Sequence, residues 1–179
     1  MLHRTKKEKD YNKDKWIGIG GKFENGESPE DCAVREIREE TGLIVNTADL
    51  EYCGIVTFVD MTGVGEASPS LQPASQSYAT PSAGDTPATP PVPYTEFMHI
   101  FRARKFFGSL LIDCDEGDLE WVPFAKLREL PHWQADEIFY DFLEQNHPFY
   151  SLKAVYKNNQ LIETWLNGKP YDHWAVISD

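Results

Sequence analysis

The chain has 179 residues, a formal charge of −12 and a mean hydropathy of −0.49. That length suits one core and is short for two domains of ordinary size, so a single domain over residues 1–179 is expected. So acidic a chain argues against a nucleic-acid polymer or an anionic membrane as partner, since both need basic surface, and no apolar run reaches membrane-spanning length.

Met1, Leu2, His3 and Arg4 read as the end of a strand, and the residues that follow turn charged at once, unlike a secretory leader. Residues 5–15 hold five lysines together with Asp10, Asn12 and Asp14, which predicts a solvated loop. Residues 16–21, Trp-Ile-Gly-Ile-Gly-Gly, alternate apolar and glycine residues and predict a strand whose backbone is approached closely. Ser28 as N-cap, Pro29, Asp31 as the acid reaching back, and Gly42 as the left-handed stop bound a helix near 29–41.

Residues 50–60 are rich in β-branched and aromatic side chains and predict a strand. Residues 62–93 then carry seven of the twelve prolines and no Lys or Arg, which predicts a disordered insertion within the domain. Strand character resumes over 94–106 and should pair with the strand before the insertion. Residues 113–123 lead through Asp113, Asp115 and Glu116 into another strand. A short helical turn over 125–130 precedes Pro131, and Ile138, Phe139, Phe142 and Leu143 mark a helix running to about Gln145. Residues 150–156 and 161–166 flank Lys-Asn-Asn-Gln, a hairpin turn. Cys32, Cys53 and Cys114 lack metal-ligand spacing and cannot all pair, so a reducing cytoplasm is the expected setting.

The first helix carries a charge problem. Glu36, Glu39 and Glu40 stand at i, i+3 and i+4, so their carboxylates share one side, and the last two sit where the helix dipole disfavours anions. Arg35 can pair with Glu39 one turn on, but one guanidinium cannot neutralise three carboxylates with Glu24 and Glu27 nearby. A solvated acidic face is one outcome, and a hard divalent cation that takes carboxylate oxygens is the other.

The stretch Gly21-x5-Glu27-x7-Arg35-Glu36-Ile37-x-Glu39-Glu40-x-Gly42-Leu43 resembles the Nudix box at all nine of its restricted positions. Beyond it, residues 15–22, Asp115-Glu116-Gly-x-x-Glu-Trp-Val-Pro123, and Trp133-x-x-Asp136 before an aromatic helix resemble the MutT-type 8-oxo-dGTP diphosphatases of Gram-positive bacteria, a likeness running to about Leu166 apart from the insertion. The resemblance implies an α+β fold, the Nudix α/β/α sandwich with a mixed central sheet, here without the strand that usually precedes the Leu-His-Arg segment. It also implies hydrolysis of a small-molecule nucleoside triphosphate to monophosphate and pyrophosphate with Mg²⁺, or Mn²⁺, as cofactor.

By match to the box, Glu36 and Glu40 are expected metal ligands, with Glu39 beside them, the Gly20 carbonyl joining and Glu116 binding or bridging to the metal; Glu36 or Glu40 is the expected base. Arg35 and Glu27 would hold helix and loop together through an ion pair. Lys22, Trp133 and Asp136 are the candidate substrate contacts, Trp133 stacking on the purine and Asp136 bonding its edge. Animal relatives carry an acid where this chain has Ala135 and an Asn where it has Ile17, which leaves the base open. Hydrolysis of a dinucleoside polyphosphate or a nucleoside diphosphate sugar, and a catalytically silent nucleotide-binding module, are the competing readings.

Overall fold

The computed structural model describes residues 1–63 and 93–174, so nearly all of the insertion expected at 62–93 lies outside the described residues. The elements in chain order are β1 (Leu2–His3), β2 (Trp16–Ile17), α1 (Pro29–Thr41), β3 (Leu50–Asp60), β4 (Tyr94–Ala103), β5 (Asp118–Leu119), α2 (Asp136–Glu144), β6 (Tyr150–Lys157), β7 (Gln160–Leu166) and β8 (Lys169–Pro170). Short 3-10 turns cover Thr47–Asp49 and Phe124–Glu129.

Helix α1 has its ends fixed by local chemistry. The Ser28 hydroxyl accepts the Asp31 N–H at 3.1 Å while the Asp31 carboxylate accepts the Ser28 N–H at 3.0 Å, a reciprocal capping box with Pro29 in the first turn. Gly42, at φ 75°, stops the helix and donates its N–H to the Arg38 carbonyl.

The larger sheet runs β4-β3-β6-β7-β8. Strands β3 and β4 pair antiparallel, joining the two sides of the insertion as expected, whereas β3 and β6 pair parallel, so the sheet is mixed. The β6–β7 hairpin turns through Asn158 and Asn159, both at positive φ (52° and 63°), the conformation that a two-residue hairpin needs and that Asn tolerates. A second sheet, β2-β1-β5, has β1 at its centre.

Three strand expectations are shortened. The strand expected over 16–21 is limited to Trp16–Ile17, because the glycines leave the sheet to run against α1. A Cβ on Gly21 would sit 2.2 Å from the Glu36 carboxylate. Strand pairing expected to 106 ends at Ala103; Phe107 keeps a single bridge to Ile44 before Gly108 turns the chain at φ 89°. The approach through 113–123 contributes only Asp118–Leu119, since β1 offers just Leu2 and His3 to pair with.

Helix α2 covers one face of the larger sheet, where Ile138 and Phe142 pack with Cys53, Val56, Tyr150 and Leu152. On the other face the Tyr52 hydroxyl and His99 Nδ1 share a hydrogen bond of 2.6 Å, and Phe23 of the loop before α1 meets His99 edge-on at 5.5 Å. The glycine loop is thereby seated on the sheet. Gly54, at the β3 irregularity, lies against the Tyr150 ring, which an added Cβ would meet at 2.6 Å.

The two contacts of Tyr150 separate cleanly by mutation. Gly54→Ala should lower stability by about 1–3 kcal/mol through overpacking, whereas Tyr150→Phe should leave it unchanged or slightly higher. The buried Tyr150 hydroxyl has no hydrogen-bond partner among the described residues, so its removal forfeits nothing. Chemical denaturation of both variants checks this.

Candidate active site

The loop before α1 and the helix itself are tied together by one guanidinium. Arg35 grips Glu27 in a two-pronged pair, Nε to Oε1 at 2.6 Å and Nη2 to Oε2 at 3.0 Å. Its Nη1 donates to Glu36 at 2.7 Å and to Glu39 at 3.0 Å, and Nη2 also reaches the Lys22 carbonyl at 3.0 Å. The Arg35 fork, with the Glu24 N–H, holds the Glu27 carboxyl down at about 2. By the same pairs the guanidinium is held more firmly protonated. Lys22 is exposed and supplies its backbone to this knot.

Glu40 is the acid that Arg35 does not reach. Only 8% exposed, it accepts the Gly20 N–H at 3.0 Å. Burial pushes its pKa up, the Gly20 N–H opposes that, and the neighbouring Glu36 charge adds to the rise. Glu36 lies directly over Gly21, in space that any side chain at that position would fill.

Glu116 stands on the turn between Cys114 and Gly117, pressed against β1 where a Cβ on Gly117 would strike the His3 carbonyl. Its carboxylate pairs with Arg4 and, at 2.6 Å, with Lys7. Arg4 and Lys7 are also near enough to Glu40 to favour its charged form. The expected acids are therefore arranged as Glu36 and Glu40 facing the glycine loop, Glu39 exposed at the rim on Arg35, and Glu116 held by two cations. Two carboxylates one turn apart on one helix, one of them buried with its proton affinity raised by burial and by its neighbour, suit a hard divalent cation that fills its remaining positions with water or phosphate. Among the described residues no three acidic, His or Cys side chains form a ready-made metal cluster.

At the other end, Asp136 opens α2 and is 8% exposed, its carboxylate accepting the Trp133 N–H at 3.1 Å. Burial pushes its pKa up to about 7, against the opposing influence of that N–H, His132 and Lys15. Trp133 is engaged by the loop read from the sequence as solvated. Its indole N–H donates to Asn12 at 2.8 Å, Tyr11 stacks on its ring with centroids 4.9 Å apart, and the Lys15 ammonium lies 4.4 Å from the ring centre. Tyr11, Asn12, Arg4 and Lys7 were thus missed as site neighbours. The signal available was Tyr11, a lone aromatic in a run of lysines.

Against this geometry the NUDIX domain profile matches residues 1–143. The chain belongs to the Nudix hydrolase family. It is similar to an uncharacterised Nudix hydrolase, YvcI, of Bacillus subtilis, 27% identical over 128 residues, covering 72% of this chain and 63% of that relative. Two relatives named oxidized purine nucleoside triphosphate hydrolase match 80% of this chain and 71% of their own length. The mouse protein is 42% identical over 148 residues and the zebrafish protein 28% over 145. In fold it is similar to the crystal structure of the mutator MutT protein from Bacillus halodurans, with a TM-score of 0.68 at 22% identity, covering 94% of this chain and 89% of the other. Among the described residues no helix is long and apolar enough to cross a membrane.

The Asp136 environment makes a signed prediction. A carboxyl whose folded pKa is raised from 3.8 to about 7 binds its proton more tightly in the native state, so its stabilising contribution is full below about pH 4 and is lost as pH rises through 7. The stability difference between the wild type and Asp136→Asn, followed by thermal melts from pH 4 to 8, should move against the wild type as pH increases.

Proposed function

We propose that this chain is a Mg²⁺-dependent nucleoside triphosphate pyrophosphohydrolase whose substrate is 8-oxo-dGTP or a related oxidised purine triphosphate. Its products would be the monophosphate and pyrophosphate, and its role the sanitation of the cytoplasmic nucleotide pool that feeds DNA synthesis. One observation carries the reading: the same chain holds an acid cluster on a glycine loop and, at Trp133 and Asp136, an aromatic face beside a buried carboxyl of raised pKa. The names of the mouse and zebrafish relatives support the substrate class.

In this reading Glu36 and Glu40, with the Gly20 carbonyl and Glu116, hold the cation, and Mn²⁺ could replace Mg²⁺ on the same hard oxygens. A cation bound there supplies positive charge to the phosphate oxygens and acidifies a bound water. Glu40, whose burial raises its proton affinity, suits the role of proton acceptor, and its bond from the Gly20 N–H fixes where its carboxylate points. Arg35 and Glu27 lock loop to helix and so keep Gly20 over Glu40. Lys22 lies exposed on the same loop, free to meet phosphate. Trp133 offers its ring to the purine, and Asp136, titrating near neutrality, can present either an O–H or an acceptor oxygen to the base edge.

Product analysis tests it. Incubation with Mg²⁺ and dGTP, 8-oxo-dGTP, ADP-ribose and a diadenosine polyphosphate should convert 8-oxo-dGTP preferentially to monophosphate and pyrophosphate, and Glu40→Gln should slow this by at least about 100-fold. Preferential cleavage of ADP-ribose or the diadenosine compound would contradict the substrate assignment.

A further inference from the structure

The indole assigned to the purine is already stacked. Tyr11 lies on Trp133 at a centroid distance of 4.9 Å and an interplanar angle of 17°. A purine held between two rings needs two stacking contacts of about 3.5 Å each, about 7 Å in all, so none can enter while Tyr11 stays. We infer that the turn carrying residues 10–15 closes the base site in the free protein, with Tyr11 standing where the substrate's purine must stack. The inference rests on the assignment of Trp133 to the base.

The turn is built to sit there as a unit. Asn12 takes the indole N–H and Lys15 lies over the indole ring. Backbone bonds from Lys13 to Asp10 at 3.1 Å and from Lys15 to Asn12 at 3.0 Å close the turn on itself. Its root is fastened to the strand end, Arg4 to Asp10 at 2.7 Å and the Asp14 N–H to the Arg4 carbonyl at 2.9 Å. Tyr11 itself is 51% exposed; its ring makes an edge approach to Phe58 at 6.2 Å and its hydroxyl hydrogen-bonds Asp60. Half exposed, it can swing out without opening the core, exchanging an indole–phenol stack and the bond to Asp60 for an indole–purine stack and hydration of the two freed polar groups.

A ligand that must first displace Tyr11 binds more weakly by the fraction of time the site stands open. That factor belongs to the protein and is the same for every base. Loss of one aromatic stack corresponds to roughly a 2- to 10-fold change in affinity, so Tyr11→Ala should tighten dGMP and 8-oxo-dGMP binding by one common factor in that range. Tyr11→Phe, which keeps the stack and loses only the hydroxyl bond to Asp60, should tighten both by a smaller common factor than Tyr11→Ala.

Calorimetry on the full chain with dGMP and 8-oxo-dGMP decides it, with Trp133→Leu as the reference for the site itself and thermal melts to show that each variant is folded. Weaker binding in Trp133→Leu together with tighter binding in Tyr11→Ala supports the closure. Weaker binding in Trp133→Leu with unchanged or weaker binding in Tyr11→Ala overturns the closure and leaves the base site standing. Wild-type affinity in Trp133→Leu, or no binding by any form, overturns the base site and the closure with it.

Discussion

Everything in the site is arranged around the five hydrogen bonds of Arg35 to Glu27, Glu36, Glu39 and the Lys22 carbonyl. Three glutamates at i, i+3 and i+4 near a helix C-terminus repel one another and the dipole, and a single planar fork offsets most of that by reaching acids on both the helix and the loop. What it leaves uncompensated is specific. Glu40, buried with one backbone N–H as its hydrogen-bond partner, lies beyond the fork at the mouth of the glycine loop, with Glu36 pressed over Gly21 beside it, which is where a cation is useful.

The segment between β1 and β2 joins this acidic end to the aromatic end. Arg4 and Lys7 meet Glu116 and lie within electrostatic reach of Glu40, while Tyr11, Asn12 and Lys15 cover Trp133. One short stretch therefore touches both the proposed phosphate end and the proposed base end. Its lysines had suggested solubility; their neighbours give several of them defined partners.

Features set by neighbours in sequence were legible before the structure. The capping box of α1, its Gly42 stop and the Asn158–Asn159 turn need only residues within a few positions, and β3 and β4 declared themselves by composition on either side of the insertion. Features set by distant partners were not. The glycine run after Ile17 looked like strand because its alternation is that of a strand, yet Glu36 lying over Gly21 pulls it into a loop. Glu116 could be placed near the box by resemblance, but its two cations come from the other end of the sequence. Asp136 was legible as a polar group beside an aromatic; its burial, and hence its raised pKa, depends on packing that no local pattern encodes.

The central claim is that the charge Arg35 leaves uncompensated holds a divalent cation. Titration of the protein with Mn²⁺, with free ion followed by electron paramagnetic resonance, tests it without reference to any substrate. The account predicts a site in the wild type that Glu40→Gln weakens at least about tenfold, a difference of roughly 1.4 kcal/mol or more. Equal Mn²⁺ affinity in the two proteins, both folded, would contradict it.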